Sequence, residues 1–284
     1  MNAIELSHVT KQFPGFTLQD LSLTVPGGAI CGLAGENGAG KSTAIRLLMG
    51  ALRPDSGSIS VLGTDVSSPD FLSVKENIGI VLDEAYFPET LNAVQVGRIM
   101  ARTYRRWDAK QFEVFRTRFS LPDKTPFKSY SRGMKMKLAI AVALSHQARL
   151  LVLDEATAGL DPIVREEILD LLLDFVQDEE HAVLISSHIL SDLEKLCDYV
   201  AFLHQGKLLF CEEKDQLLEE YGIFAGTREQ AESLQPEAVV GRMDSQFGGV
   251  RALVRRDLVP SGCQLERPTV EDIVLFWVKG GAAA

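Results

Sequence analysis

The chain has 284 residues, 46% of them hydrophobic, which is enough for one large domain or for one domain with a small appendage. Its net charge of -10 argues against general nucleic-acid binding, because proteins that bind the phosphate backbone present a basic face. The four cysteines are scattered without C-x-x-C spacing, which indicates a reducing compartment, and the N-terminus shows no signal-peptide pattern. The most apolar stretch, residues 138–144, is shorter than the roughly 20 residues that span a bilayer.

Three strands are predicted before residue 35. They cover residues 4–9, 18–25 and 29–34, and Pro26-Gly27-Gly28 predicts a tight turn between the second and the third. Phe13 lies in the predicted connection between the first two strands. From its position alone, Phe13 is either an aromatic that stacks on a nucleotide base or a hydrophobic residue at the edge of a loop.

The third strand leads into a glycine-rich loop that matches G-x-x-x-x-G-K-[ST], the phosphate-binding motif. A helix is predicted over residues 44–49, so strand, loop and helix follow in the required order. Glycines let backbone N–H groups point at phosphate oxygens, and the helix N-terminus adds partial positive charge. Lys41 is expected to reach the β- and γ-phosphates and Ser42 to ligate Mg²⁺. The predicted phosphate-binding residues are Gly35, Glu36, Asn37, Gly38, Ala39, Gly40, Lys41, Ser42 and Thr43.

The middle of the chain changes from strands to helices. A turn at residues 54–57 precedes a strand over 58–62, and a strand over 78–82 ends at Asp83. From about residue 92 to 144, helix-length segments replace the strands. These segments are either a helical insertion within a sheet domain or simply further core helices. The predicted helices cover residues 94–104, 109–119 and 134–144.

Strands and helices then alternate again. An apolar strand over residues 150–153 ends at Asp154 and Glu155, a helix starts at Pro162, and a strand over 182–185 leads to His188. A hairpin over 199–211 follows. Alternation predicts a largely parallel sheet flanked by helices, in which ligands bind at the carboxyl ends of the strands. After residue 212 the patterns weaken, and segments 239–240, 250–254 and 270–278 predict a small α/β appendage.

Over about residues 1–220, these motifs resemble the ATP-binding subunit of ABC transporters. The resemblance covers a Walker A loop at 35–43, a Walker B strand at 150–154, a D-loop at 158–161 and a signature segment at 130–135. It implies an α/β P-loop NTPase with a mostly parallel sheet flanked by helices and an N-terminal antiparallel β piece. A helical subdomain would be inserted at about 84–149, and a C-terminal accessory region would cover 221–284.

The resemblance also implies roles for the residues at the sheet edge. Asp154 would hold Mg²⁺, Glu155 would be the general base for the attacking water, and His188 would contact the γ-phosphate. Lys41 completes this catalytic group. Phe13 occupies the place of the aromatic residue that stacks on adenine, which favours the first of its two interpretations.

In this family, two subunits associate head to tail, so that the signature of one completes the ATP site of the other. The resemblance therefore implies an ATP-sandwich dimer with an identical or homologous subunit, with ATP and Mg²⁺ as cofactors. The residues expected to act on the partner's ATP are Ser131, Arg132, Gly133 and Asp161.

The chain departs from the common family pattern at three positions. Arg132 and Met134 replace the usual glycine and glutamine of the signature, and Asp83 replaces the glutamine of the Q-loop. A carboxylate is a good ligand for Mg²⁺, so Asp83 is predicted to contact the ion through a bridging water. These departures and the C-terminal extension are similar to the ABC-2 exporter branch, which serves bacterial antibiotic and peptide export. That similarity implies a separate integral membrane permease and a cytoplasmic location at the inner face of the cell membrane.

Other functions are compatible with parts of the pattern. A soluble ABC-type ATPase that acts on ribosomes or nucleic acid typically has two ATP-binding halves, a long coiled coil or zinc-binding cysteines, and this acidic chain shows none of these. A regulatory module that binds ATP without turnover would not need Glu155 and His188. A GTPase is disfavoured because the Asn-Lys-x-Asp base-reading motif is missing.

Overall fold

The structure is a computed structural model that describes residues 1–83, 87–244, 249–260 and 262–280. In these ranges, no helix has both the length and the apolar character needed to cross a bilayer.

The strands are β1 (Asn2–Phe13), β2 (Phe16–Pro26), β3 (Ile30–Gly35), β4 (Ser56–Val61), β5 (Thr64–Asp65), β6 (Ile78–Val81), β7 (Leu150–Asp154), β8 (Ala182–Ser187), β9 (Tyr199–His204), β10 (Lys207–Glu213), β11 (Tyr221–Gly226), β12 (Val239–Asp244), β13 (Val250–Arg255) and β14 (Leu265–Glu266). The helices are α1 (Lys41–Leu48), α2 (Phe71–Val74), α3 (Ala93–Thr103), α4 (Ala109–Arg118), α5 (Arg132–Leu144), α6 (Pro162–Phe175), α7 (Leu190–Leu196), α8 (Lys214–Glu220), α9 (Arg228–Glu232) and α10 (Val270–Lys279).

The large sheet contains ten strands in the order β5-β4-β1-β2-β10-β9-β3-β8-β7-β6. β3 pairs in parallel with β8 on one side and β9 on the other, and β7 pairs in parallel with β8 and β6. Every residue of β3, β7 and β8 is buried, as expected for parallel strands covered on both faces. β1, β2 and β4 form an antiparallel piece at the other end. The α/β fold with an N-terminal antiparallel piece is confirmed.

Helices α3, α4 and α5 follow β6 and precede β7 in the chain, and they pack against one another as one layer. The buried face of α4 carries Phe112 and Phe115, and Gly97 in α3 leaves room for the ring of Phe112. The N-terminus of α3 is closed by a capping box in which Asn92 accepts from the backbone of Gln95. The predicted start of the insertion, at residue 84, lies outside the described residues.

A second, antiparallel sheet in the order β12-β13-β11-β14 begins at Tyr221. Helix α10 joins this sheet to the large one: Ile273 and Phe276 are fully buried in the core that also contains β7 and β8. The backbone N–H of Val270 donates to Oε2 of Glu194 in α7 over 2.9 Å. The accessory region therefore packs on the helix that follows His188. Residues 281–284 lie outside the described residues.

Some local predictions differ from the structure. β1 extends to Phe13 and turns at Pro14 and Gly15, so Phe13 lies at a strand end and not in a connecting loop. This longer strand contains register shifts opposite β2, which interrupt the simple alternation of apolar residues. Helices α7 and α8 were not predicted because each has only seven residues, too few for a helical period to show.

Candidate ATP site

The predicted site residues meet at the carboxyl edge of the central strands. Ala34, the residue before the glycine-rich loop, pairs with Ser187, the residue before His188. Asp154, at the end of β7, pairs with Ser186 of β8. The strand register therefore places the loop, the acidic pair and His188 at neighbouring positions along one edge.

The glycine-rich loop is curled by backbone conformations that favour glycine. Gly38 and Gly40 have φ angles of 83° and 115°, in the left-handed region, and the N–H of Ala39 donates to the carbonyl of Glu36 over 3.1 Å. Gly40 directly precedes α1 and offers no side chain to cap it. The first N–H groups of α1 are thus available to an anion, which is the arrangement that binds phosphate.

Lys41 is folded back onto this loop. Its side chain is buried, and its Nζ donates to the carbonyl oxygens of Gly35 over 2.7 Å and of Glu36 over 3.2 Å. The same Nζ lies 3.1 Å from Oε1 of Glu155. In this structure the ammonium group therefore occupies a nest of oxygens and balances the charge of the acidic pair.

Glu155 lies between two cationic or potentially cationic groups. Its Oε2 is 2.6 Å from Nδ1 of His188, opposite the contact to Lys41, and its backbone has a φ of 51°. Burial raises the pKa of Glu155, but hydrogen bonds from Lys41 and His188 outweigh it and hold the pKa below its ordinary value. Glu155 is consequently a carboxylate at neutral pH, as a base must be.

Ser186 is a site residue that the sequence did not single out. It is fully buried; its hydroxyl donates to Oδ1 of Asp154 over 2.6 Å and accepts the N–H of Glu155 over 3.1 Å. One side chain thus orients both acidic residues. The available signal was a polar residue at the end of an otherwise apolar strand.

Ser42 and Asp154 provide oxygen ligands suited to Mg²⁺. Ser42 is exposed at the start of α1 and Asp154 is buried at the end of β7. The described residues contain no group of three or more His, Cys, Asp or Glu side chains that could hold a metal by itself. Mg²⁺ commonly takes one or two protein ligands and completes its shell with water and substrate phosphates. The two residues fit such a site.

The signature residues Ser131 and Gly133 and the D-loop residue Asp161 lie at helix ends near the surface. Ser131 caps α5 by accepting the N–H of Met134 over 3.2 Å, and Asp161 caps α6 by accepting the N–H of Val164 over 3.1 Å. Both caps are exposed, and Gly133 packs near the side chain of Val164. Helices α5 and α6 thus present their N-termini outward, where they can meet a second molecule.

Arg132 and Phe13, two further residues predicted for the site, each contact another side chain of the same chain. Arg132 Nη2 lies 2.6 Å from Oδ1 of Asp83, so in this structure these two residues pair with each other. Phe13 is 37% exposed and stacks at 6.5 Å on Phe16, whose ring lies against Gly40. Phe16, which no sequence motif marks, therefore joins Phe13 to the phosphate loop.

Comparison with known proteins decides the family. The profile of the ABC transporter family matches residues 18–158. The ATP-binding protein YhcH of Bacillus subtilis is 31% identical over 97% of this chain and 91% of its own length. The chain belongs to the ABC transporter ATP-binding proteins. The daunorubicin/doxorubicin resistance ATP-binding protein DrrA of Streptomyces peucetius is 34% identical and covers 88% of the chain and 84% of its own length.

Solved structures of ABC ATPases share the fold. An ATP-binding subunit of an ABC transporter superposes with a TM-score of 0.69 at 25% identity, covering 76% of this chain and 91% of its own. A dimeric ATP-binding cassette bound to ADP and Pi has the same fold, with a TM-score of 0.66 at 21% identity, covering 74% of this chain and 98% of its own. As a member of its family, the chain is an ATP-binding and ATP-hydrolysing transporter subunit. Nothing in these comparisons supports the alternative of a ribosomal or nucleic-acid ATPase.

Proposed function

We propose that this ABC ATPase hydrolyses MgATP in a head-to-tail dimer and thereby drives export through a separate membrane permease. The observation that carries the proposal is the placement of Glu155. It is held as a carboxylate at 2.6 Å from His188 and 3.1 Å from Lys41, beside a phosphate loop. A module that only binds nucleotide has no use for such a base.

The residues of one chain divide the work at the bound phosphates. ATP would draw Lys41 from its carbonyl partners toward the β- and γ-phosphates, because phosphate oxygens carry more negative charge than carbonyls. Glu155, which then loses its contact with Lys41, would accept the proton of the attacking water. His188 would turn to the γ-phosphate, and Ser186 would keep Asp154 and Glu155 oriented. Mg²⁺ bound by Ser42 and Asp154, with Asp83 reached through water, would neutralise phosphate charge.

The second subunit would supply the remaining groups. Ser131, Gly133 and Asp161 lie at exposed helix N-termini, which attract phosphate. Arg132 adds a full positive charge beside them. The partner is an identical or a homologous ATPase. The dimeric cassette with ADP and Pi has this fold and was solved in the state after hydrolysis.

Export is proposed from the named relatives. The bacitracin transport protein BcrA of Bacillus licheniformis is 36% identical over 72% of this chain, and the lantibiotic transport protein SrtF of Streptococcus pyogenes is 34% identical over 75%. We propose a related antibiotic or peptide substrate, recognised by an integral membrane permease. The ATPase would sit at the inner face of the cell membrane, where ATP is available.

A pull-down tests the transporter assignment. The variant Glu155→Gln, tagged and expressed in its native cell, is solubilised gently with MgATP and analysed for co-purifying proteins. A polytopic membrane protein in near-equal amount supports the proposal, and its identity narrows the substrate. Recovery with ribosomal or DNA-repair proteins in place of a membrane protein would contradict it. The variant Glu180→Gln, at an exposed position near Arg149, is the control for tagging and expression.

A further inference from the structure

Arg132 connects three loops of the site within one chain. Its Nη2 donates to Oδ1 of Asp83 over 2.6 Å, which links the N-terminus of α5 to the segment after β6. Its guanidinium also lies over Gly159 of the D-loop, so close that an added Cβ there would be 3.1 Å from Nη1. Both charged side chains are about half exposed, at 51% and 52%. The pair is therefore accessible to a competing anion.

A phosphate group is such an anion. The guanidinium group binds carboxylate and phosphate oxygens through the same donors, so a ligand phosphate competes directly with a carboxylate. In this structure, Asp83 neutralises the full positive charge that lies next to the Ser131 cap. A γ-phosphate approaching α5 would meet the carboxylate of Asp83 beside the guanidinium of Arg132. The phosphate binds the guanidinium better once Asp83 has moved away.

We propose that Asp83 is a positioning residue that holds Arg132 in the single subunit and competes for it with the γ-phosphate of the partner's ATP. This inference rests on the proposed head-to-tail dimer. Formation of the dimer exchanges the contact between Arg132 and Asp83 for one between Arg132 and phosphate. The exchange also moves the guanidinium of Arg132 away from Gly159.

A double-mutant cycle isolates this competition. Asp83→Asn, Arg132→Gln and both together are placed in the Glu155→Gln background, which prevents turnover. The readout is the ATP concentration at which half of the protein elutes as dimer. An exposed ion pair contributes up to about 1 kcal/mol, which corresponds to a factor of about two to five in this concentration. Where Arg132 is present, Asp83→Asn should therefore lower the concentration by that factor more than it does where Arg132 is replaced by Gln. Any separate effect of Asp83 through Mg²⁺ appears in both backgrounds and cancels.

Equal effects of Asp83→Asn in the two backgrounds would overturn the competition. Asp83→Glu, which keeps the charge, should leave the concentration closer to that of the parent than Asp83→Asn does. A matched control is Asp244→Asn, because Asp244 pairs with Arg228 through an exposed ion pair on β12, an edge strand of the accessory sheet. This control should not shift the dimer.

A measurement without ATP separates this inference from the proposed function. Thermal midpoints of the same four proteins, without nucleotide, report whether Asp83 and Arg132 are coupled in the single subunit. Suppose that the midpoints are non-additive but that no variant forms a dimer with ATP. The contact between Asp83 and Arg132 would then exist, but the ATP-sandwich dimer would be refuted and the proposed exchange with it. Additive midpoints with normal dimers would leave the sandwich standing and remove the role assigned to Asp83.

Discussion

The two halves of the ATP site differ in how they are held. In the hydrolytic half, Lys41, Asp154 and Ser186 are buried, and the contact between Asp154 and Ser186 joins adjacent strands of one sheet. In the signature half, Ser131 and Arg132 are exposed, and their contacts are a helix cap and one half-exposed ion pair. The first half is preorganised within a single chain, whereas the second is left at the surface.

The difference indicates where regulation can act. In the hydrolytic half, Lys41 and His188 change partners when ATP arrives, but the buried contact between Ser186 and Asp154 stays, so the acidic pair is oriented in advance. The signature half costs little to rearrange, because exposed ion pairs and caps contribute only about 1 kcal/mol each. Substitutions in the two halves should therefore differ both in size and in the step that they affect.

The largest effect is expected for Glu155→Gln. Loss of the general base should lower ATP hydrolysis by roughly 10²- to 10⁴-fold, while ATP still binds, since the phosphate loop is unchanged. Phosphate release and equilibrium nucleotide binding measure the two quantities separately. Glu113→Gln, on an exposed face of α4, is the control. Hydrolysis at the parent rate would show that another group accepts the proton.

A smaller effect is expected for Ser186→Ala. The variant loses the hydrogen bond to Asp154, worth about 1 kcal/mol, whereas the N–H of Glu155 keeps the backbone carbonyl of Ser186 at 3.1 Å, so kcat should fall roughly fivefold to tenfold. Steady-state kinetics with the KM for ATP show whether binding is spared. Ser145→Ala removes another buried hydroxyl, bonded to the carbonyl of Ala141, and should leave kcat unchanged. Equal losses in both variants would make the effect one of general stability.

In the signature half, Ser131→Ala should affect dimer formation and not nucleotide binding. Loss of an N-cap costs about 1 kcal/mol, and the partner's phosphate loses a hydroxyl, so the ATP concentration for half dimer should rise roughly threefold to tenfold. Size-exclusion chromatography in the Glu155→Gln background measures this. Asp108→Ala removes the cap of α4 and serves as the control. A weaker monomeric ATP affinity in Ser131→Ala would contradict the division into halves.

The smallest effect concerns His146, which joins the end of α5 to the turn before β6. The ring is buried, stacks on Tyr104 at 4.0 Å, and its Nδ1 is 3.2 Å from the carbonyl of Glu76. Burial lowers the pKa of His146 below its ordinary value. Unfolded chains then bind more protons, so the free energy of unfolding should fall as pH drops below about 6.5, until the folded pKa is reached.

Urea unfolding at a series of pH values measures this slope. His146→Gln should flatten the curve in that window, while Ser145→Ala, which removes a buried hydroxyl beside His146 and no titratable group, should keep the slope. The same slope in the parent and in His146→Gln would assign the acid sensitivity to other groups.

Sequence alone predicted the parts of the site whose residues are contiguous. The phosphate loop and the acidic pair each occupy a short run with apolar strands before them, and the pattern of buried strands placed both at one sheet edge. Ser186 was not found because its partners lie 31 and 32 positions away along the chain. The contact between Arg132 and Asp83 joins residues 49 positions apart, and only the tertiary arrangement of α5 and β6 brings them together.

The accessory region was predicted only in outline for a similar reason. β11 contains Gly222 and Gly226, so its apolar pattern is short, and its strand character comes from pairing with β13 between Tyr221 and Arg255. Helix α10, in contrast, was predicted from the long apolar run over 270–278, and the structure adds a capping box at Thr269 at its start. Local signals were sufficient for α10, whereas β11 depends on a distant strand.

The position of β3 in the sheet has a consequence for synthesis on the ribosome. Both neighbours of β3 come much later in the chain: Ile30 pairs with Val183 and Cys31 with Tyr199. At roughly 5–20 residues per second, the loop after β3 leaves the ribosome about 8–30 seconds before its supporting strands exist. During that interval the apolar β3 is unpaired. A nascent chain stalled before residue 183 should consequently be unable to retain ATP and should depend on chaperones for its solubility.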